Sequence, residues 1–269
     1  MKFDKTQMIE EQFNLYESNK LFGTKSEIPC ITIYKPYVKT SDGAILCFAG
    51  GAYYGRCDHE GVGYAQFFRS LGVTAFVVNY RCAPAHFPDQ LLDARLAVRF
   101  VRAKAEEFGI NKNKITVIGS SAGGNLCSLL STYRGELENE SKTPHIEEDY
   151  LPNAQILCYP VISTDKDITH EGSYRNLLGN LFEEREKFSA EKIADERTPK
   201  AFIWHTAEDE LVNVINSYEY AKKLRLLNVP CELHVFPFGR HGLGLANDAP
   251  HVAQWKQLMI NWLRLNELI

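Results

Sequence analysis

The sequence predicts an α/β fold: a mainly parallel sheet covered by helices on both faces, with small cap insertions. Three observations predict it. Short, continuously apolar runs recur along the chain, helix-period patterns separate them, and several runs end in glycine-rich turns. The composition is that of a globular protein, with 45% hydrophobic and 24% charged side chains. At 269 residues the chain has material for one large core. No stretch approaches the roughly 20 consecutive apolar residues of a membrane span.

The first apolar run, 44–48, ends in Gly50 and Gly51 and reads as a buried strand. A helix-like stretch carrying Tyr64, Phe67, Phe68 and Leu71 leads to a second strand at 73–78. Leu92, Leu96, Val98, Phe100 and Val101 then give a broad helical face, with Gly109 as its C-cap. Residues 115–118 form a third strand, and a helix follows from near Ala122. Strands at 155–159, 201–205 and 231–236, a helix at 216–227 and an amphipathic helix at 255–265 complete the pattern. Residues 134–153, polar and acidic, and 164–200, without a strand, are expected as caps inserted in a single domain spanning 1–269.

Charge excludes some functions. Thirty basic against 34 acidic residues give a net charge of −4, which argues against binding nucleic acid or a membrane surface. Arg95, Arg99 and Arg102 share one helix face, and that stripe reads as solvated. The seven cysteines form no C-x-x-C pair and read as reduced thiols; Cys47, Cys127 and Cys231 fall in apolar segments. Met1 to Lys5 mixes charge with apolar residues and lacks the apolar core of a signal peptide, so a cytoplasmic protein is expected.

The chemistry sits in Gly119-Ser120-Ser121-Ala122-Gly123, a G-x-S-x-G pattern. Chance alone places that pattern in about one chain in ten of this length. Its context says more, because it follows a strand and opens a helix, as a nucleophile elbow requires. A serine nucleophile needs a base, and His241 lies in a glycine-flanked loop just past the strand at 231–236. His145, His170, His205 and His234 read as structural or exposed. Asp209, on the loop after the strand at 201–205, is placed to orient the imidazole, with Asp165 and Asp167 as rivals. One histidine beside carboxylates is too thin a set for a metal, and neither a metal nor a cofactor is expected. The tetrahedral intermediate needs N–H donors. Ala122 offers one, and the loop Ala49-Gly50-Gly51-Ala52 offers others.

These residues resemble the α/β-hydrolase esterases, specifically their hormone-sensitive-lipase-like and acetyl-xylan-esterase-like branch. The likeness runs from about Gly43 to the C-terminus. Besides the triad segments it rests on 49–53, Asn79-Tyr80-Arg81-Cys82-Ala83-Pro84, 87–93, 110–115, 176–179 and 205–209. It implies Ser121 as nucleophile, His241 as base, Asp209 as acid, and the amides of Gly51, Ala52 and Ala122 as oxyanion donors. The chain departs from the branch at Ala49, where proline is usual, and at His59-Glu60-Gly61, where Arg-Glu-Gly is usual. The lipase-like pattern His-Gly-Gly-Gly is also replaced, by Ala49-Gly50-Gly51-Ala52.

The expected activity is removal of short acyl groups, acetyl foremost, from a carbohydrate or similar small alcohol through an acyl-enzyme. Tyr53, Tyr54 and Tyr174 are candidate walls for a sugar, with core or surface packing as the alternative. A general carboxylesterase, an arylformamidase-like amidase and a non-catalytic hydrolase-fold receptor are the other readings. The expected partner is a small ester, with homo-oligomerisation left open.

Overall fold

A computed structural model of the chain describes residues 10–16 and 28–269. The amino-terminal segment read above for a signal peptide, Met1 to Lys5, lies outside the described residues. Eight strands make one sheet in the order β1-β2-β4-β3-β5-β6-β7-β8. They are β1 (Glu10–Asn14), β2 (Cys30–Tyr34), β3 (Ala44–Phe48), β4 (Thr74–Asn79), β5 (Ile115–Ser120), β6 (Ala154–Cys158), β7 (Lys200–Thr206) and β8 (Cys231–Phe236). From β4 to β8 every neighbouring pair is parallel, whereas β1 and β2 pair antiparallel at one edge.

The helices in chain order are α1 (Val62–Ser70), α2 (Asp89–Ala103), α3 (Ala105–Phe108), α4 (Ala122–Thr132) and α5 (Glu171–Leu178). After them come α6 (Ala190–Ile193), α7 (Ile215–Leu226), α8 (Pro250–Ala253) and α9 (Trp255–Leu265). Two apolar layers sandwich the sheet. One gathers α2, α4 and α7 through Leu96, Leu126, Leu129 and Leu224; the other gathers α1 and α9 through Phe68, Trp255 and Met259. Central strands β3 and β6 are buried at every position, as continuous apolar runs between two helical layers must be. Burial of each of Leu126, Leu129 and Leu130 contributes about 2 kcal/mol to this packing. No helix among the described residues is long and apolar enough to cross a membrane.

All six predicted strands are present within a residue or two of the expected bounds. The sequence reading lacks β1 and β2. Strand β1 is an edge whose residues are exposed or half-buried, so Glu-Glu-Gln-Phe-Asn carries no apolar run to mark it. The predicted helix ending at Gly109 is broken at Lys104, and Gly109 caps the short second piece, α3, in the left-handed region at φ 62°.

Two expectations about residues 95–153 are corrected. The arginine stripe is buried: Arg95, Arg99 and Arg102 are 2%, 6% and 7% exposed. Its neighbours explain why. Glu140 accepts from Arg95 at 2.6 Å and from Arg99 at 2.9 Å. Carbonyls of Tyr133, Glu148, Asp149 and Leu151 accept further hydrogen bonds from the three guanidinium groups. The segment 134–153 is therefore no cap. It joins the end of α4 to the start of β6, both at the N-terminal edge of the parallel strands, and is tied along α2. Segment 164–200 does begin at the other edge, where Asn176 of α5 donates to the Ala52 carbonyl at 2.9 Å.

Replacing Arg95 by alanine removes the charged partner of Glu140 Oε2 in a largely buried setting and leaves that oxygen only the Leu137 N–H at 3.3 Å, so the folded state should lose about 3 kcal/mol. Urea denaturation of Arg95→Ala should show the lower midpoint, with turnover per folded molecule unchanged; an unshifted midpoint would mean the arginines are dispensable to the fold.

Candidate active site

The site is built where β5 hands over to α4. Ser121 sits between them with φ 52° and ψ −118°, a region that side-chain-bearing residues rarely occupy. The turn is too tight for larger neighbours. A Cβ on Gly119 would lie 2.2 Å from the Gly123 carbonyl oxygen, and one on Gly123 would lie 2.0 Å from the Phe48 oxygen. The strain projects the Ser121 hydroxyl from the C-terminal edge of the sheet, while Ala122 opens a helix whose first N–H groups have no intrahelical partner.

The loop after β3 lies against this turn. Its carbonyls are all turned to other partners. Tyr80 donates to Ala49, Cys57 to Gly50, Tyr54 and Gly55 to Gly51, Asn176 to Ala52 and Ala83 to Tyr53. With the oxygens held away, the N–H groups of Gly51, Ala52 and Ala122 meet no protein acceptor among the described residues. Three backbone N–H donors beside the Ser121 hydroxyl make an arrangement suited to an oxyanion.

His241 and Asp209 come from the loops after β8 and β7. His241 Nε2 lies 2.8 Å from Ser121 Oγ, and its Nδ1 lies 2.6 Å from Asp209 Oδ2. The carboxylate only accepts here, so Nδ1 carries the proton and Nε2 is left free to accept one from the serine. The Asp209 side chain is fully buried and that of His241 only 14% exposed. Burial alone would raise the Asp209 carboxyl. Hydrogen bonds from His205, His241 and the Val212 N–H outweigh it and hold the group well below the usual carboxylate range.

His205 is a second histidine on that carboxylate. Its Nε2 is 3.0 Å from the Val212 carbonyl and 3.3 Å from Asp209 Oδ2, and Ser217 Oγ sits 2.8 Å from its Nδ1. It is buried and structural, as expected, but the structure adds that it braces the acid. The four-residue step from His205 to Asp209 across a strand end was the signal available for this. Asp165 and Asp167 are exposed and bond to each other's loop, not to His241. His234 pairs with Glu232, and His170 caps α5 by accepting from Ser173.

The aromatic walls are corrected. Tyr53 and Tyr174 are 0% and 1% exposed and cannot face a sugar. They form a buried chain behind the oxyanion loop. Tyr53 donates to Asn125 at 2.7 Å, Asn125 donates to Tyr174 at 3.0 Å, and Tyr174 donates to the Ile162 carbonyl at 2.7 Å. Of the three only Tyr54 is exposed. The cleft beside the triad is open, about 860 Å³, and lined by Glu208, Glu210, Leu211 and Arg240 besides His241 and Asp209.

The BD-FAE family model matches residues 31–224, and the chain belongs to that family of α/β-hydrolases. It is 36% identical over 246 residues to endo-1,4-beta-xylanase B of Butyrivibrio fibrisolvens, which covers 89% of this chain and 37% of that protein. An acetylxylan esterase of Xylanibacter ruminicola is 31% identical over 247 residues, covering 89% of this chain and 48% of the relative. The chain thus spans less than half the length of these two curated relatives. The crystal structure of an acetyl ester-xyloside bifunctional hydrolase from Caldicellulosiruptor lactoaceticus superposes with a TM-score of 0.88 at 36% identity, covering 96% of this chain and 97% of that one.

The depressed Asp209 carboxyl has a consequence for stability. Its folded value lies below its unfolded value, near 4, so its contribution is complete above that pH and fades as pH falls further. The stability advantage of the wild type over Asp209→Asn, from denaturant titrations, should stay level from pH 7 to about 5 and shrink below about 4. An advantage that grew on acidification would contradict the assignment.

Proposed function

From membership of this family we propose that the chain is a serine esterase that removes short acyl groups, acetyl foremost, from hydroxyl-rich small alcohols such as short sugars. The observation that carries the reading is the continuous line Ser121 Oγ, His241 Nε2, His241 Nδ1, Asp209 Oδ2, set beside three backbone N–H donors. Two of the relatives named above, the acetylxylan esterase and the acetyl ester-xyloside hydrolase, act on acetyl esters by their names. The cleft on the His241–Asp209 side carries Glu208, Glu210 and Arg240, groups able to hydrogen-bond the hydroxyls of an alcohol.

In the proposed mechanism Ser121 attacks the ester carbonyl as its proton passes to His241 Nε2. Asp209 keeps the imidazole in the right tautomer and stabilises the cation that forms. The charge that develops on the carbonyl oxygen is met by the N–H groups of Gly51, Ala52 and Ala122, each worth about 3 kcal/mol where such donors have been removed. His241 then gives the proton to the leaving alcohol. A water, deprotonated by the same ring, attacks the acyl-serine and frees the acid. We infer a reducing cytoplasm as the compartment, which suits a chain whose seven cysteines include no C-x-x-C pair, with a small ester as the partner.

Turnover of p-nitrophenyl acetate should fall by roughly a million-fold in kcat in Ser121→Ala. Within the series of p-nitrophenyl esters, kcat/KM should be highest for acetate and fall as the acyl chain lengthens. Undiminished turnover by the alanine variant would refute the serine mechanism; a preference rising with acyl length would refute the short-acyl reading.

A further inference from the structure

Glu60 lies in a short 3₁₀ turn, Asp58–Glu60, immediately beyond the oxyanion loop, and is only 2% exposed. A buried carboxylate needs strong partners. Among the described residues Glu60 has no lysine or arginine ion pair; the nearest basic side chain is the largely exposed His59, 3.8 Å away. Its two oxygens go to two different places. Oε2 accepts the Gly50 N–H at 2.8 Å, and Oε1 accepts the Tyr159 hydroxyl at 2.6 Å. The same Tyr159 oxygen accepts the Gly244 N–H at 2.8 Å, three residues beyond His241.

Tyr159 sits just past β6 with φ 38°, and its ring meets the His241 ring edge to face at 5.0 Å. Next to Glu60, His59 Nε2 lies 3.1 Å from the Gly242 carbonyl. One turn therefore holds the residue before the first oxyanion donor and clips the histidine loop on both sides of Leu243. None of these atoms has a role in the proposed proton transfers.

We propose that the Asp58–Glu60 turn, acting through Tyr159, is a clasp that sets the spacing between the oxyanion loop and the His241 loop, with Glu60 and Tyr159 as positioning residues. The inference rests on the esterase reading and deepens it. The acid is required because both acceptors are used. A glutamine has one acceptor oxygen, and its NH2 group would face either the Gly50 N–H or a Tyr159 hydroxyl left without an acceptor. Burial and the Glu60 carboxylate both hold the Tyr159 phenol well above its ordinary range, so it remains the donor at every working pH.

The test uses the full chain carrying Glu60→Gln, Tyr159→Phe, both together, or His59→Ala. Active sites are counted by titration, and kcat and KM are measured with p-nitrophenyl acetate and with ethyl acetate. Ethoxide must be protonated by His241 as it leaves and nitrophenoxide need not, so a misplaced histidine loop affects the two esters unequally. Per titrated site, Glu60→Gln and Tyr159→Phe should each lower kcat/KM, which reports acylation, roughly 100-fold on ethyl acetate and distinctly less on the nitrophenyl ester; kcat also contains the His241-assisted deacylation that the two esters share. The double variant should be no worse than the worse single one. His59→Ala, a change at an exposed side chain that leaves the core intact, should lower kcat/KM on ethyl acetate a few-fold even if the buried variants fail to fold. Unchanged kcat/KM in His59→Ala, equal kcat/KM losses on both esters, or additive losses would overturn the clasp. A wild type that turns over neither ester overturns the esterase reading instead.

Discussion

The backbone of Ser121 is held at positive φ between β5 and α4, and much of the site follows from that one strained turn. Such a conformation survives only where the surroundings over-determine it. Here β5 is buried between β3 and β6, and all eleven residues of α4 are buried beneath the helical layer. The strand and the helix are both fixed, so the single residue joining them has no relaxed alternative. The same turn sets Ala122 at the start of α4 and lets Gly123 press against the end of β3, which brings the next loop, with Gly51 and Ala52, beside the serine.

The parallel sheet then makes assembly of the rest a matter of direction. Strands β3, β5, β6, β7 and β8 all point the same way, so the loops carrying Gly51, Ser121, Tyr159, Asp209 and His241 emerge at one edge. Residues nearly 200 positions apart meet without a long connection. Electrostatics completes the arrangement. Asp209 is buried, yet its charge is held by two histidines and backbone N–H groups, and it fixes the His241 tautomer that leaves Nε2 facing the serine.

The fold was legible because its core strands are apolar throughout, and Ser121, Asp209 and His241 stand at strand ends that the pattern marks. What was missed depended on tertiary partners. Edge strand β1 has no apolar run to reveal it. The arginines of α2 look solvated in sequence, because Glu140 and the carbonyls of 148–151 arrive from another segment. Tyr53 and Tyr174 look like sugar walls until Asn125 is seen between them. Glu60 stood out only as part of the triplet His59-Glu60-Gly61; nothing local shows that its oxygens face Gly50 and Tyr159. Hydrophobic periodicity reports burial by the chain's own neighbours, and it is silent about polar groups whose partners are remote.

The central claim is that Ser121 carries the acyl group between two halves of one reaction. Intact and peptide mass spectrometry after rapid acid quench with p-nitrophenyl acetate tests it most directly. The account predicts one added acetyl group per chain, on the peptide containing Ser121, formed and lost at rates compatible with turnover. Steady turnover with no adduct, or an acetyl group that accumulates on another residue, would contradict it.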